Sequence, residues 1–295
     1  MGTGAGTGAR IGAGMTGASM TGYRRVRAAL TWQRPDYLPA GEFELDAATV
    51  ARLEADTVGV LAANPGWTER LAFWAGRDLF VWVIVDGPFQ QRFFPQDGRG
   101  EWLAGLARPA LVESAGRALE LAGQAIELGA DGVVLGEDVA YSEGLFCRPD
   151  DIQENLAPLW AEFTAGVGRC RTRRCNERPL VMFHSDGRVH EALDLVVSAG
   201  FDGYHSLEPE AGMDPEVLLA RYRGRLAFWG GLSLPRLFRS RPEEIAADVQ
   251  RLVAAGRDGG LVLGTSSGIV PEGLPARSLV LAYAARRWGV GSSSR

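Results

Sequence analysis

The stretch "PLVMFHSDGRVHEALDLVVSAGFDGYHSLEPE", Pro179 to Glu210, decides how the chain folds. It opens with an apolar run, Leu180 to Phe183, that stops abruptly at His184, Ser185, Asp186 and Gly187. A second segment, Arg188 to Gly200, spaces its apolar residues as one face of a helix does, and a third, Gly203 to Leu207, again has the form of a strand. Strand, helix and strand within about 30 residues make the βαβ unit of a parallel sheet. His184 and Asp186 lie two apart at a strand end, so if the strand persists both side chains project to the same side. The competing reading is a helix cap from Ser185 or Asp186.

Outward from this unit the same alternation continues. "LFVWVIVDG" (Leu79 to Gly87), "GVVLGED" (Gly132 to Asp138), "LAFWGG" (Leu226 to Gly231) and "GLVLGT" (Gly260 to Thr265) are apolar runs of the kind buried on both faces of a parallel sheet. Between and after them lie helical patterns, among them Leu111 to Gly129, a helix opening at Pro149, Asp214 to Gly224, Arg241 to Gly256 and Leu274 to Gly289. Ahead of Leu79, "TVGVLAAN" (Thr57 to Asn64) offers a further strand. Tyr23 to Asp56 reads as a short helix, a loop through Pro35 and Pro39, and a second helix. The strands number about eight, the count of a (β/α)₈ barrel.

An open doubly wound sheet competes, because alternation alone does not say whether the sheet closes. Polar or glycine residues follow strand after strand: Asp86 and Gly87, Glu137 and Asp138, His184 to Gly187, Glu208, Gly230 and Gly231, Thr265 to Ser267. In a barrel all of these reach one mouth, whereas an open sheet needs only those near its switch point. The expectation is an α/β fold, a single (β/α)₈ TIM barrel over residues 23–289. A Gly/Ala-rich tail over 1–22 and a flexible tail over 290–295 flank it.

The net charge of −5 is mixed along the chain, and neither nucleic acid nor an anionic membrane is suggested as a partner. Cys147, Cys170 and Cys175 are too few and too irregular for a disulfide framework or a zinc ribbon. No apolar stretch has the length of a membrane span. "GAGTGA" near the start lacks the preceding strand that a dinucleotide site needs. These features point to a cytoplasmic protein acting on a small molecule.

Four motifs in order, "GEDVAYSEGLFCRPDDIQENLAPLW", "VMFHSDG", "AGFDGYHSLEPEAGMDPEVLLARYRGRLAFWGGLS" and "GGLVLGTSSGIVPEGLP", resemble the uroporphyrinogen decarboxylase-like superfamily. The resemblance runs from Tyr23 to Trp288, is most specific over Val181 to Gly231, and is closer to the corrinoid-linked methyltransferases than to the haem-pathway decarboxylase. It implies a (β/α)₈ barrel with an active site at its carboxyl-terminal mouth. The decarboxylases carry an "RQAGR"-like segment near the amino terminus; here "YRRVRAAL" offers Arg24, Arg25 and Arg27 instead. The zinc-dependent methyltransferases have a cysteine two residues after the histidine of "FHSDG" and another near the last strand. Asp186 and Ser266 or Ser267 stand there in this chain, so two soft ligands become a carboxylate and a hydroxyl. Zinc, another divalent metal or none are the alternatives this leaves.

On these grounds the candidate catalytic residues are His184, Glu137, Asp138 and Tyr141, and the candidate metal ligands are His184, Asp186 and Glu208. Glu137 and Asp138 are adjacent, so on a strand only one looks into the barrel. Asp86, His205, Gly230 and Gly231 are candidates for substrate binding, with a structural place in the helical layer as the other reading of His205. Cys147 is a further candidate ligand or nucleophile, His190 is expected to face solvent, and Asp214 is read as a helix cap ahead of Pro215. The leading expectation is methyl transfer linked to a corrinoid or similar carrier on a partner protein, with a metal-polarised acceptor. Decarboxylation or another lyase reaction on an acidic, porphyrinogen-like substrate is the second. Non-catalytic binding is the third.

Overall fold

The computed structural model describes residues 19–93 and 108–287. The apolar runs form strands β1 (Gly41–Phe43), β2 (Thr57–Leu61), β3 (Phe80–Asp86), β4 (Gly132–Gly136), a small hairpin of β5 (Ala140–Tyr141) and β6 (Gly144–Leu145), then β7 (Leu180–His184), β8 (Gly203–Leu207), β9 (Ala227–Leu232) and β10 (Leu261–Thr265). Apart from the hairpin, the strands lie side by side in chain order and pair in parallel. Bridges from Ala40 to Leu263 and from Phe43 to Ile269 bring the first strand to the last. The result is a single (β/α)₈ barrel.

Helices connect the strands: α1 (Gly22–Leu30), α2 (Ala47–Leu53), α3 (Trp67–Trp74), α4 (Pro88–Phe93), α5 (Arg108–Leu128), α6 (Pro149–Asn155), α7 (Ala157–Gly168), α8 (Leu193–Ser198), α9 (Pro215–Arg221), α10 (Leu234–Arg239), α11 (Pro242–Ala255) and α12 (Ala276–Ala285). Local chemistry sets their starts. Asp214 accepts from the amides of Glu216 and Val217 with Pro215 at the first helical position, as the sequence leads one to expect. Asp46 accepts from Thr49 N at 2.6 Å to begin α2.

Alternate residues of the strands turn inward and fill the barrel with rings: Phe80 and Trp82 of β3, Trp229 of β9 and Phe43 of β1, beside Val134, Met182 and Val262. Phe43 and Trp229 lie 4.6 Å apart, Phe80 and Trp82 4.7 Å, centroid to centroid. Such rings fit only where facing positions are small. A Cβ on Gly59 would overlap the Phe43 ring, and one on Gly132 would overlap Trp82. The helix α1 lies across the lower end and adds Tyr23, Val26, Ala29 and Leu30 to the same interior cluster. The opposite strand faces, Val81, Val83, Val85, Val133, Leu135, Val181 and Phe183, pack against the helices.

Two buried polar arrangements hold the frame. Glu42, fully enclosed on β1, accepts from Thr265 N (2.8 Å), Thr265 Oγ1 (2.8 Å) and the Tyr283 hydroxyl (2.9 Å), which ties β1 to β10 and α12. At the lower face Arg25 meets Asp56 and Asp36 at 2.5 Å each, and Arg286 reaches the other oxygen of Asp56 at 3.3 Å. Arg25, Asp56 and Arg286 are all buried, so this network stitches α1, the turn before β2 and the chain after α12 together.

Three details depart from the sequence reading. β1 lies where a loop and a helix were expected, because a three-residue strand shows no periodicity of its own. The helix expected from Arg188 to Gly200 is regular only over α8. The described chain begins within the expected 1–22 tail: Met20 N donates to Asp36 Oδ2 at 2.9 Å, Thr21 caps α1, and Gly22 is its first residue. The rest of that tail and the 290–295 tail lie outside the described residues. No helix among the described residues is long and apolar enough to cross a membrane.

Asp56→Ala should leave two buried guanidinium groups short of their partner and lower stability by about 3–5 kcal/mol. The urea midpoint should fall accordingly, while ligands at the opposite, mouth end bind as before to the folded protein. A midpoint unchanged from wild type would contradict this account of the lower face.

Candidate functional site

Strand parity builds the mouth. On β3 the inward residues Phe80, Trp82 and Ile84 lead to Asp86; on β4, Val134 leads to Asp138; on β7, Leu180 and Met182 lead to His184 and then Asp186. Gly136 pairs with Asp86 on one side and with His184 on the other, so three neighbouring strand ends deliver these groups together. Asp86, Asp138 and His184 line a cavity of about 150 Å³ whose remaining wall is largely apolar, from Phe43, Leu61, Ile84 and Ile269.

His184 Nε2 stands 3.5 Å from Asp138 Oδ1 and 3.9 Å from Asp186 Oδ1. One donor atom from each of the three residues lies within 4.8 Å of the others. The Asp186 amide donates to Asp138 Oδ1 at 2.9 Å and fixes the two acids relative to each other. The side chains are 15, 24 and 50% exposed for His184, Asp138 and Asp186, so the cluster can be reached from solvent. One imidazole and two carboxylates are a hard-to-borderline donor set that suits a divalent cation such as zinc, manganese or ferrous iron. The residues present therefore fit a metal, although not through thiolates.

More acid surrounds this cluster. Ser206 Oγ donates to Asp186 Oδ1 at 2.9 Å and reaches Glu208 Oε1 at 3.4 Å, and Ser266 Oγ donates to Glu210 Oε1 at 2.6 Å. Burial, with the charges of Asp186 and Glu210 beside it, pushes Glu208 up to about 7. Burial also raises Asp186 and Asp86, and Asp138 adds to both. No arginine lines the cavity among the described residues, and the chain contains no lysine.

The remaining expected residues fall elsewhere. Glu137 is turned away from the mouth and fully buried in the wall. There its Oε1 accepts from Trp160 Nε1 (2.8 Å) and its Oε2 from the amides of Phe89 and Gln90 (3.0 Å each), so it fastens the start of α4. A side chain on Gly87 would overlap its carboxylate. Asp138, one residue on, is the acid that joins His184 and Asp186, while Glu208 stands beyond Ser206. His205 does not face the helices: it is completely buried inside the barrel with its Nδ1 2.7 Å from Nδ1 of His184, and burial pushes its pKa well below the ordinary histidine value.

Gly230 and Gly231 line no part of the mouth cavity. A Cβ on Gly230 would lie 2.6 Å from the Leu207 amide, and Gly231 faces Leu252 and Pro215, with φ values of 132° and 92°. Packing accounts for Gly230, and the positive φ accounts for both. Tyr141 is exposed on the β5–β6 hairpin with its ring tilted against Phe146. Ser267 lines the cavity, Cys147 packs partly buried against the core, and His190 Nε2 bonds the Gly212 carbonyl at 3.0 Å rather than facing solvent alone. Sequence reasoning passed over Gln90, whose Oε1 accepts from Asp138 N at 3.1 Å, and also Ser206 and Glu210. The last two flank Glu208 in the stretch that defines the fold, which was their only signal.

The family model described as uroporphyrinogen decarboxylase matches residues 111–288, more than half of the chain. No curated protein matches. Among solved structures, a methyltransferase from Methanosarcina mazei superposes with a TM-score of 0.72 at 16% identity, covering 91% of this chain and 98% of its own. A protein described as a candidate vitamin-B12-independent methionine synthase from Listeria monocytogenes gives 0.51 at 13%, over 81% and 83%. A broad-specificity endoglucanase from Clostridium longisporum gives 0.53 at 8%, over 91% and 100%. At these identities the structural likeness speaks for the barrel alone.

Glu42 and Glu137, both pushed by burial from 4.5 up to about 7, make stability depend on pH. Between those values the folded chain holds protons that the unfolded chain releases. The stabilisation is therefore complete below about pH 4.5 and is lost as pH rises through about 7. The thermal midpoint should fall from roughly pH 5 to pH 8, and Glu137→Gln should flatten that slope. An unchanged slope in the variant would rule out this origin.

Proposed function

The chain belongs to the uroporphyrinogen decarboxylase family, and from that premise we propose that it is a methyltransferase-type enzyme whose acceptor is polarised by a divalent cation held by Asp138, His184 and Asp186. The observation that carries this reading is the convergence of those three donor atoms at the ends of adjacent strands, open to a small cavity. A cation held there supplies a Lewis acid that lowers the pKa of the acceptor group. The choice of reaction rests on the resemblance of the sequence motifs to the corrinoid-linked methyltransferases, and the structural neighbour described as a methyltransferase shares the barrel.

The chain's own groups divide the remaining work. Asp138 and Asp186, locked together through the Asp186 amide, orient the acceptor. Glu208, raised chiefly by burial and linked to Asp186 through Ser206, takes up or returns the acceptor proton. Phe43, Leu61, Ile84 and Ile269 give a methyl group an apolar seat and exclude water from it. A hollow of about 150 Å³ admits a small acceptor but not a corrinoid, so the carrier, on a partner protein, presents its methyl group at the rim.

The family name also suggests decarboxylation of a polycarboxylate. Such a substrate needs cations, and among the described residues this mouth meets it with Asp86, Asp138, Asp186, Glu208 and Glu210 and no arginine on the cavity lining. The charge favours a neutral or cationic acceptor.

Elemental analysis of purified, dialysed protein should find about one divalent metal per chain, lost in His184→Ala and in Asp138→Ala. Methyl transfer from a methylated corrinoid donor should fall at least about 100-fold in both variants. Wild-type protein without metal, with activity indifferent to chelators, would overturn the proposal.

A further inference from the structure

His205 lies beneath the mouth as the direct register partner of His184 across β7 and β8. It is completely buried, and its Nδ1 is 2.7 Å from the Nδ1 of His184. Two ring nitrogens at this distance share one hydrogen, since two N–H groups or two lone pairs facing each other would repel. The tautomers of the two neutral rings are thus coupled. A hydrogen on His184 Nδ1 leaves a lone pair on His184 Nε2 and places the His205 hydrogen on its own Nε2; the opposite choice places a hydrogen on His184 Nε2.

The surroundings of the two outer nitrogens separate these cases. On the mouth side, the described acceptors beside His184 Nε2 are Asp138 Oδ1 at 3.5 Å and Asp186 Oδ1 at 3.9 Å, both longer than the 2.7–3.2 Å of an N–H···O bond. On the inner side, His205 Nε2 has no nitrogen or oxygen partner among the described residues. It is closed in by Gly268, where an added Cβ would fall 2.5 Å from it, and by Phe43. The Phe43 and His205 rings are perpendicular, 4.8 Å apart at 89°. The same walls keep the His205 ring from turning.

We infer that His205 is a positioning residue: its Nδ1 accepts the hydrogen of His184 Nδ1 and so holds the Nε2 lone pair of His184 toward Asp138, Asp186 and the mouth. The functional meaning of that lone pair rests on the cation site proposed above; the tautomer itself does not. An imidazole here takes the place that a carboxylate or carbonyl commonly occupies behind a metal-binding histidine.

The test uses full-length protein labelled with ¹⁵N at its three histidines and a long-range ¹H–¹⁵N correlation spectrum, which reads each ring's tautomer directly. Metal-free wild type should show the hydrogen on Nδ1 of His184 and on Nε2 of His205, and zinc should then shift the His184 Nε2 resonance. His205→Phe keeps a ring but loses the acceptor, and zinc affinity should drop about 10- to 100-fold. His205→Asn, whose Oδ1 can accept in place of Nδ1, should restore most of it. A hydrogen on His205 Nδ1 in wild type overturns the inference, as does folded His205→Phe with wild-type zinc affinity. Should His205→Phe fail to fold, the wild-type spectrum and the Asn variant still decide. Wild type that binds no zinc sinks the proposed function and leaves the metal-free spectrum to judge His205.

Discussion

β1 is three residues long, too short for its backbone ladder alone to hold it firmly against the last strand, and the carboxylate of Glu42 supplies what the ladder lacks. Burying an acid costs several kcal/mol unless it is hydrogen-bonded. Three donors from β10 and α12 meet this one, each contributing about 1.5–3 kcal/mol if it is charged. The next residue, Phe43, then points inward, where its ring touches Trp229 and stands perpendicular to His205. His205 in turn touches His184. A chain of direct contacts therefore runs from the seam of the barrel to the nitrogen that faces the mouth, and loosening Glu42 would be felt at every link.

Parity along a strand sorts the acids into two kinds. Glu137 and Asp138 are neighbours with the same chemistry, yet one is sealed in the wall with three donors and the other opens to the cavity. The wall acid keeps α4 in place over the mouth. Asp138 and Asp186 remain partly solvated, and that is how the two stand close together.

The same parity explains what could be read from the sequence. Runs such as "LFVWVIVDG" announce strands because nothing in them is polar until the end, and the polar ends announce a mouth. The pairing of His184 with Asp186 on one side followed from their spacing. Which of Glu137 and Asp138 faces inward did not follow, because a strand apolar on both faces carries no mark of its inner side. The same ambiguity left His205 between the inside of the barrel and the helical layer. Glu42 was invisible as a structural residue, its partner Thr265 being 223 positions away, and the steric need for Gly230 also depends on a neighbour on another strand, Leu207.

The plug formed by α1 and the aromatic layer above it makes the barrel a cul-de-sac. Among the described residues the hollow lies at the end opposite this plug, with Asp86, Asp138 and His184 in its lining. Under the proposed transfer from a carrier-borne donor, two reactants of unequal size would share one doorway. The smaller would enter first and be covered by the larger, and the product would stay inside until the larger partner departs. Turnover would be paced by that departure, and dead-end complexes would form whenever the large partner docks on an empty hollow.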